Sequence, residues 1–288
     1  MPPRRLRLDQ ELVRRQLARS REHAAELIAA GRVSVAGSRA TKPATGVTTD
    51  VALVVREDPD RPDYVSRGGH KLAGALDAFA DRGLAVAGRR ALDAGASTGG
   101  FTDVLLRRGA REVVAVDVGY GQLAWSLRSD DRVRVVDRQN VRDLTLEIVG
   151  EPVDLVVGDL SFISLTLVLA PLLAVTAPDG DLALMVKPQF EVGKDRVGKG
   201  GVVREPALRA EAIATVAHAA AVAGWGAQAV AVSPLPGPSG NHEYFLWLRR
   251  GEARIGEAEF SEVVAAVPAL SAAGRSAPDQ GPDERVEQ

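Results

Sequence analysis

Cysteine is absent from this sequence of 288 residues, and histidine and aromatic residues are scarce. Without thiols the chain can form neither a disulfide framework nor a thiolate metal site. Its four histidines stand far apart, without the spacing of metal ligands: His23, His70, His218 and His242. We therefore expect a protein that binds no metal and works in a reducing, cytoplasmic setting.

Long uncharged apolar runs are also absent. The region 155–177 approaches membrane-spanning length, but it contains Asp159, two serines and Pro171. We interpret it as a buried strand followed by a helix. The first fifteen residues carry charge where a signal peptide would have an apolar segment. The sequence therefore predicts neither export nor membrane insertion.

Positive charge is concentrated in the N-terminal part of the chain. Residues 1–50 hold ten Lys and Arg against five Asp and Glu, whereas the rest of the chain holds 26 against 33. A basic module on an acidic body predicts a polyanionic partner. The same count is equally consistent with a solvated helix face.

The stretch 7–55 predicts a small α+β unit. Its apolar spacing indicates a short helix around Leu12 and Leu17, and Ser20 is placed to cap a second helix that Gly31 ends. Alternating apolar residues then predict two strands. These strands are 32–38 and 51–55.

A polar, proline-bearing segment separates this unit from a region in which strands and helices alternate. Such alternation predicts a parallel, doubly wound α/β sheet with helices on both faces. The last two strands are joined by the tight "PGPSG" turn, so the final strand should run antiparallel. Seven strands with one reversed are typical of the methyltransferase variant of the Rossmann-like fold. The predicted strands are 90–95, 112–119, 132–137, 153–160, 180–190, 227–235 and 241–250, and the predicted helices are 71–83, 99–108, 165–176 and 205–223.

Composition also sets the expected domain boundaries. We predict a monomer with an N-terminal domain over 1–58, a linker over 59–66 and an α/β domain over 67–252. The final segment 271–288 is polar and rich in Gly, Pro and charge. Such a segment cannot bury enough apolar surface to fold, so we expect it to be disordered.

A glycine-rich turn, "DAGASTGGF", follows the first strand of the α/β domain, and Asp117 ends the second. Such a turn lets a ligand approach the backbone, and an acid at that strand end can bind both hydroxyls of a ribose. The turn fits neither the dinucleotide pattern nor the Walker pattern. A glycine turn that serves only the fold and binds no ligand is the alternative. Asp93, two residues before Gly95, resembles the first motif of S-adenosylmethionine-dependent methyltransferases, and that resemblance places Asn140 beside the adenine. The residues expected to hold S-adenosylmethionine are Asp93, Gly95, Ser97, Thr98, Gly99, Gly100, Phe101, Asp117 and Asn140.

Charged residues end two further strands. Asp159 ends the fourth, and Lys187 ends the fifth, where Pro188 turns the chain away. A lysine after a buried apolar strand needs a counter-charge, which Asp159 or Glu243 could supply. Lys71 opens the first helix and could reach the same edge. In chain order, Lys71, Asp159, Lys187 and Glu243 resemble the Lys-Asp-Lys-Glu tetrad of FtsJ-type ribose 2′-O-methyltransferases, although each alone also has a structural explanation.

The resemblance implies a catalytic role for the tetrad. Methyl transfer to ribose needs the hydroxyl oxygen, methyl carbon and sulfur in line. Lys187 would accept the hydroxyl proton or stabilise the developing oxyanion, two alternatives that the sequence leaves open, with Asp159 and Glu243 orienting it. Enzymes that methylate base amines usually have two prolines after the acid. This chain has Leu160 and Ser161 there, which disfavours base N-methylation.

The N-terminal unit resembles the alpha-L RNA-binding motif, which is named after a ribosomal protein of the small subunit. The segments "RLD", "SRE", "GRV" and "VAG" carry this resemblance. It implies a helical face docked on RNA phosphates, contacts that add affinity but little sequence specificity. The residues implied are Arg14, Arg15, Arg19, Arg21, Arg32, Arg39 and Lys42.

Motifs over residues 5–250 resemble, in order, the TlyA family: "SRGGHKL", "DAGASTGGFTD", "GDLSFIS", "KPQFEVG" and "GNHEYFLW". The resemblance implies cytidine 2′-O-methylation of ribosomal RNA, in the small and for some members the large subunit. The family also carries a haemolysin label, so a membrane-active haemolysin and a non-catalytic ribosome-binding protein are the alternatives. Many relatives have a tryptophan near Tyr64, which leaves coupling through the linker open. The basic loop 191–201 is either an RNA-contacting lid or a surface connection.

Overall fold

The computed structural model describes residues 5–15, 17–56, 58 and 62–267. Within these ranges the chain forms a small N-terminal unit and a larger α/β unit. The segment 271–288, which we predicted to be disordered, lies outside the described residues. Every helix in the described ranges is too short or too polar to span a bilayer.

In its described residues, the N-terminal unit contains two helices and five short strands. They are β1 (Leu6–Arg7), α1 (Leu8–Arg14), α2 (Arg21–Ala29), β2 (Val33–Val35), β3 (Ser38–Arg39), β4 (Gly46–Val47) and β5 (Leu53–Val55). Strand β1 pairs with β4, and β2 lies between β3 and β5 in a second antiparallel sheet. The Ser20 hydroxyl caps α2 by accepting from the His23 amide at 3.1 Å, as predicted. Leu12 lies in α1, whereas Leu17 joins the core from the connection after it.

The α/β unit carries a seven-stranded sheet. Its strands are β6 (Arg90–Ala94), β7 (Glu112–Asp117), β8 (Val133–Asp137), β9 (Val153–Gly158), β10 (Thr176–Val186), β11 (Trp225–Val232) and β12 (Tyr244–Arg250). Their order across the sheet is β11-β12-β10-β9-β6-β7-β8. Strand β12 runs antiparallel to both neighbours, and the pairs among β10, β9, β6, β7 and β8 are parallel. The predicted methyltransferase sheet with its reversed last strand is therefore confirmed.

Helices cover both faces of this sheet. They are α3 (Arg67–Ala80), α4 (Gly100–Arg107), α5 (Trp125–Arg128), α6 (Leu146–Val149), α7 (Leu169–Ala174), α8 (Pro188–Glu191), α9 (Pro206–Val222) and α10 (Glu257–Ala265). One apolar core joins the sheet to α3 and α4, and another joins it to α7, α9 and α10. The predicted helix 165–176 is shorter than expected, because a 3₁₀ turn (Leu165–Leu167) precedes α7 and Thr176 already belongs to β10.

Helix α3 begins at Arg67, four residues before the predicted start at Lys71. Two glycines occupy its first turn, although glycine disfavours helix. A Cβ atom at Gly69 would lie 2.4 Å from the Tyr64 Cβ, so only glycine fits where the linker packs against the helix. Lys71 therefore lies in the second turn of α3.

Candidate active site

The four tetrad residues meet at the carboxyl edge of the sheet. Asp159 follows β9, Lys187 follows β10, and Glu243 immediately precedes β12. Lys71 reaches this edge from α3, which packs on one face of the sheet. A cavity of about 260 Å³ is lined by Lys71, Asp159 and Lys187.

The tetrad forms two close ion pairs. The Lys187 Nζ lies 2.6 Å from the Asp159 Oδ1, and the Lys71 Nζ lies 2.5 Å from the Glu243 Oε2. Glu243 is 1% exposed and both lysines are buried. The expectation that Glu243 serves Lys187 is therefore wrong, since Glu243 pairs with Lys71.

The loop before β12 holds Glu243 in place. The Glu243 carbonyl accepts from the Ser233 amide at 2.8 Å, which ties the start of β12 to the end of β11. A Cβ atom at Gly237 would lie 2.5 Å from the Glu243 Oε1. The carboxylate therefore packs directly against the backbone of this loop and has little freedom to leave Lys71.

A larger cavity of about 530 Å³ adjoins the first. It is lined by Gly95, Ser97, Asp117 and Asn140, all predicted cofactor residues. Three more of these residues line the smaller cavity: Thr98, Gly100 and Phe101. Both cavities share Gly95, Ser97, Asp159 and Ser161. A ligand on the glycine loop would therefore extend toward the two lysines.

The glycine loop and Asp117 are connected by hydrogen bonds. The Asp117 Oδ2 accepts from the Ser97 amide at 2.8 Å, and its Oδ1 accepts from the Gly119 amide at 2.7 Å. Each carboxylate oxygen still has acceptor capacity that a pair of hydroxyls could use. Gly95 has a φ of +85°, a left-handed conformation that favours glycine.

Two of the predicted cofactor residues, Asp93 and Gly99, line neither of these cavities. A Cβ atom at Gly99 would lie 2.2 Å from the Leu127 Cδ1, so Gly99 allows α5 to pack close to the loop. Asp93 is fully buried and accepts from the Thr102 hydroxyl at 2.7 Å. Its Oδ1 has no hydrogen-bond partner among the described residues. Both residues therefore hold the glycine loop in place through contacts inside the protein and do not line either cavity.

Burial raises the pKa of Asp93 to about 7, from an ordinary value of 3.8. Because the folded pKa is raised, only the unfolded state ionises between about pH 4 and 7, so stability falls as the pH rises through this range. Asn cannot ionise, so Asp93→Asn should favour the folded state more at pH 8 than at pH 5. We predict that the change in the free energy of unfolding caused by the substitution is about 1–3 kcal/mol more favourable at pH 8 than at pH 5. Denaturant unfolding of both proteins at the two pH values measures this. An equal effect of the substitution at both values would contradict it.

Comparisons with known proteins agree with this geometry. An FtsJ-like methyltransferase model matches residues 64–250, and an S4 domain model matches residues 6–51. The 16S/23S rRNA (cytidine-2′-O)-methyltransferase TlyA of Mycobacterium tuberculosis is 63% identical over 246 residues, which cover 85% of this chain and 90% of that protein. The chain belongs to the TlyA family. It is therefore a methyltransferase, with an S4 domain before its catalytic domain.

Two other proteins that are similar to this chain carry a different name. Hemolysin A of Brachyspira hyodysenteriae is 36% identical, covering 83% of this chain and 98% of that protein. A Streptococcus thermophilus structure described as a haemolysin has a TM-score of 0.68 and 36% identity, covering 91% of this chain and 94% of that one. The haemolysin label is thus spread across proteins of this architecture.

Four of the seven predicted RNA contacts lie at the surface of the S4 domain. Arg14 and Arg21 are about half exposed, and they pair with the buried Glu11 and Asp9. The Arg14 guanidinium lowers the pKa of Glu11 to about 2. The other two side chains are exposed: Arg39 and Lys42.

The other three predicted RNA contacts are engaged within the chain. The Arg15 guanidinium donates to the carbonyls of Val51 and Thr49 at 2.7 and 2.8 Å. Arg19 donates to the Tyr64 carbonyl at 2.9 Å. Arg32 donates to the Arg56 carbonyl and pairs with Asp63. Their part in RNA binding stays a prediction, and each already has a structural role in the S4 domain or the linker.

The linker touches both domains of this TlyA-family chain. The Val65 amide donates to the Asp103 Oδ2 at 2.9 Å, and Arg107 donates to the Asp63 carbonyl at 3.0 Å. Both Asp103 and Arg107 belong to α4, which follows the glycine loop. Tyr64 is buried, and the centre of its ring lies 5.1 Å from that of the His70 ring. The linker therefore connects the S4 domain to the helix beneath the cofactor cavity.

Ser161 and Glu191 were not predicted as site residues. The Ser161 hydroxyl accepts from the Lys187 Nζ at 2.7 Å. Glu191 accepts from the Ser164 hydroxyl at 2.6 Å and from the Leu165 amide at 2.9 Å. The only signal in the sequence was that Ser161 stands where amine methyltransferases have proline.

Proposed function

We propose that this chain methylates the 2′-hydroxyl of a cytidine in ribosomal RNA, with S-adenosylmethionine as the methyl donor. One observation carries the proposal. Two lysines, each paired with a carboxylate, line a cavity that opens onto a glycine loop with a ribose-binding acid. The name of the Mycobacterium tuberculosis relative supports cytidine in ribosomal RNA as the substrate.

The residues of the larger cavity fit a nucleoside cofactor. The carboxylate of Asp117 lies beside the loop and can accept from the two ribose hydroxyls. Asn140 lies in the same cavity, on the side expected to border the adenine. The methionine part would follow the loop at Gly95 and Ser97 toward Asp159. When bound, S-adenosylmethionine supplies a methyl group on a positively charged sulfur.

Lys187 is placed to act on the nucleophile. Its amine would accept the 2′-hydroxyl proton as the hydroxyl oxygen takes up the methyl group that bound S-adenosylmethionine supplies. Asp159 and Ser161 hold the amine from two directions. Lys71 contributes positive charge beside the developing oxyanion, and Glu243 holds Lys71 in position.

The S4 domain would bring ribosomal RNA to this cavity. Its exposed basic side chains can bind phosphates, and such contacts orient a substrate without reading its sequence. The exposed loop after α8 adds Lys194 and Lys199 near the same edge of the sheet. Ribosomal RNA as the substrate also agrees with the cytoplasmic location predicted from the sequence.

Asp117 offers a test of the cofactor site. We predict that Asp117→Asn weakens S-adenosylmethionine binding about 10- to 100-fold, because a hydrogen bond to a charged acceptor is lost. Calorimetric titration of the whole chain measures the dissociation constant. The matched control is Asp131→Asn, an exposed aspartate before β8, which should leave the constant unchanged. Equal affinity in wild type and Asp117→Asn would remove Asp117 from the site.

Labelled methyl transfer tests the function as a whole. The chain is incubated with methyl-labelled S-adenosylmethionine and isolated small or large ribosomal subunits, and the RNA is then hydrolysed with alkali. A 2′-O-methyl group blocks cleavage of the adjacent linkage, so the label should appear in alkali-resistant dinucleotides. Label in mononucleotides would instead indicate base methylation. Absence of label from both subunits would favour the non-catalytic binding protein, and dye release from liposomes at low protein concentration would favour the haemolysin.

A further inference from the structure

The loops after β9 and β10 run side by side and are joined at three points. At one end the Ser161 hydroxyl accepts from the Lys187 Nζ at 2.7 Å. In the middle the rings of Phe162 and Phe190 lie 5.3 Å apart. At the other end Glu191 holds Ser164, as described above. Two segments that each carry a tetrad residue are thus fixed to one another.

Glu191 anchors this arrangement independently of Lys187. Its two carboxylate oxygens accept from different groups of the β9 loop, the Ser164 hydroxyl and the Leu165 amide. Burial raises the pKa of Glu191, while these two hydrogen bonds oppose the rise. Phe162 has a left-handed φ of +63°, which is uncommon for an aromatic residue. The loop therefore keeps an unfavourable backbone conformation between two fixed ends.

The contacts of Lys187 leave one direction open at its nitrogen. A neutral lysine amine has two N–H donors and one lone pair in a tetrahedral arrangement. The Lys187 Nζ donates to the Ser161 Oγ at 2.7 Å, and it lies 2.6 Å from the Asp159 Oδ1 as an ion pair. Lys187 also lines the cavity in which a substrate ribose would lie. The hydrogen bond to Ser161 fixes the rotation of the amine, and a remaining direction at its nitrogen is left for the lone pair to face the substrate.

We propose that Ser161 is a positioning residue for methyl transfer, which fixes the Lys187 amine so that its lone pair faces the substrate hydroxyl. Glu191 holds the loop that presents Ser161. This inference rests on the proposed function, because it assigns Ser161 a task in the same proton transfer. It also explains why a serine stands in place of the proline of amine methyltransferases: a hydroxyl can accept from lysine, and proline cannot.

Single-turnover kinetics of the whole chain with ribosomal subunits and saturating S-adenosylmethionine test this inference. We expect Ser161→Ala to lower the rate of methyl transfer about 10- to 100-fold, because the amine is no longer held in line with the substrate hydroxyl. Because Ser161 also lines the cofactor cavity, the dissociation constant of S-adenosylmethionine is measured separately, and it should change far less than the rate. Ser161→Thr keeps the hydroxyl and should restore most of the rate. The control is Ser261→Ala, the same replacement at an exposed position of α10, which should match wild type.

Variants of Glu191 test the role of the loop. Glu191→Gln keeps an acceptor for the Leu165 amide and a group that can bond Ser164, so its rate should stay close to that of wild type. Glu191→Ala should lower the rate toward that of Ser161→Ala. A wild-type rate in Ser161→Ala, or a loss explained wholly by weaker cofactor binding, would overturn the positioning role and leave the proposed function intact. Absence of 2′-O-methyl product from wild type would overturn both.

Discussion

Lys187→Ala is expected to lower the rate of methyl transfer by about 10²- to 10⁴-fold, the range for a positioned proton acceptor. Lys187 is buried at the end of β10, and its nitrogen is fixed by Asp159 and Ser161. Its replacement removes the one amine that we place at the substrate hydroxyl. Asp159 is about a quarter exposed, so it can rehydrate, and the fold should survive. Single-turnover rates and the affinity for S-adenosylmethionine, measured together, separate lost chemistry from lost binding.

A second variant distinguishes the two roles that the sequence left open for Lys187. Lys187→Arg keeps the positive charge and can still pair with Asp159, but its guanidinium stays protonated and cannot accept a proton. If Lys187 is the proton acceptor, the Arg variant should be as slow as the Ala variant. A rate near wild type for Arg but not for Ala would show that charge alone is required. A wild-type rate for Ala would exclude Lys187 from catalysis.

Breaking the other ion pair should affect both activity and stability. Lys71→Ala leaves the Glu243 carboxylate without its counter-charge at a position that is 1% exposed. Removing one partner of such a buried pair is expected to lower the free energy of unfolding by about 3–5 kcal/mol. Methyl transfer should fall as well, because the positive charge beside the oxyanion is lost. Denaturant unfolding and single-turnover rates provide the two measurements.

A double variant separates the two effects. Replacement of a whole buried ion pair by apolar residues of similar size is often neutral for stability. Lys71→Met combined with Glu243→Leu should therefore recover most of the stability lost in Lys71→Ala, while the rate of methyl transfer stays low. Recovery of activity together with stability would mean that the pair only supports the fold. That outcome would remove Lys71 and Glu243 from the catalytic set.

The position of the tetrad could be predicted because the carboxyl ends of parallel strands share one edge. Asp159 and Lys187 each follow an apolar strand, so the strand pattern alone brings them together. The partner of Glu243 could not be predicted in this way. It depends on the side chain of Lys71 reaching from α3, and therefore on how that helix packs against the sheet. Sequence patterns locate strand ends, but they do not determine which side chain meets which.

The roles of the arginines in the basic N-terminal domain were equally hard to predict. Their excess was evident from the sequence, but counting charges does not show which guanidinium groups are bound within the fold. Arg15 is held by main-chain carbonyls and Arg32 by the linker, so neither is a simple surface charge. The start of α3 was also misplaced, because glycines normally disfavour helix and the contact between Gly69 and Tyr64 is not visible in the sequence. Both cases were decided by side-chain packing that the sequence pattern does not show.

The most direct test of the account is the identity of the methylated nucleoside. Ribosomal RNA treated with this chain and S-adenosylmethionine is digested to nucleosides and analysed by mass spectrometry, with the Lys187→Ala variant in parallel. The paired lysines and carboxylates predict 2′-O-methylation, and the TlyA relative indicates cytidine, so we expect 2′-O-methylcytidine with wild type and little or none with the variant. A methyl group on the cytosine base, or equal yields of 2′-O-methylcytidine from both proteins, would contradict the assignment of this site to ribose methylation.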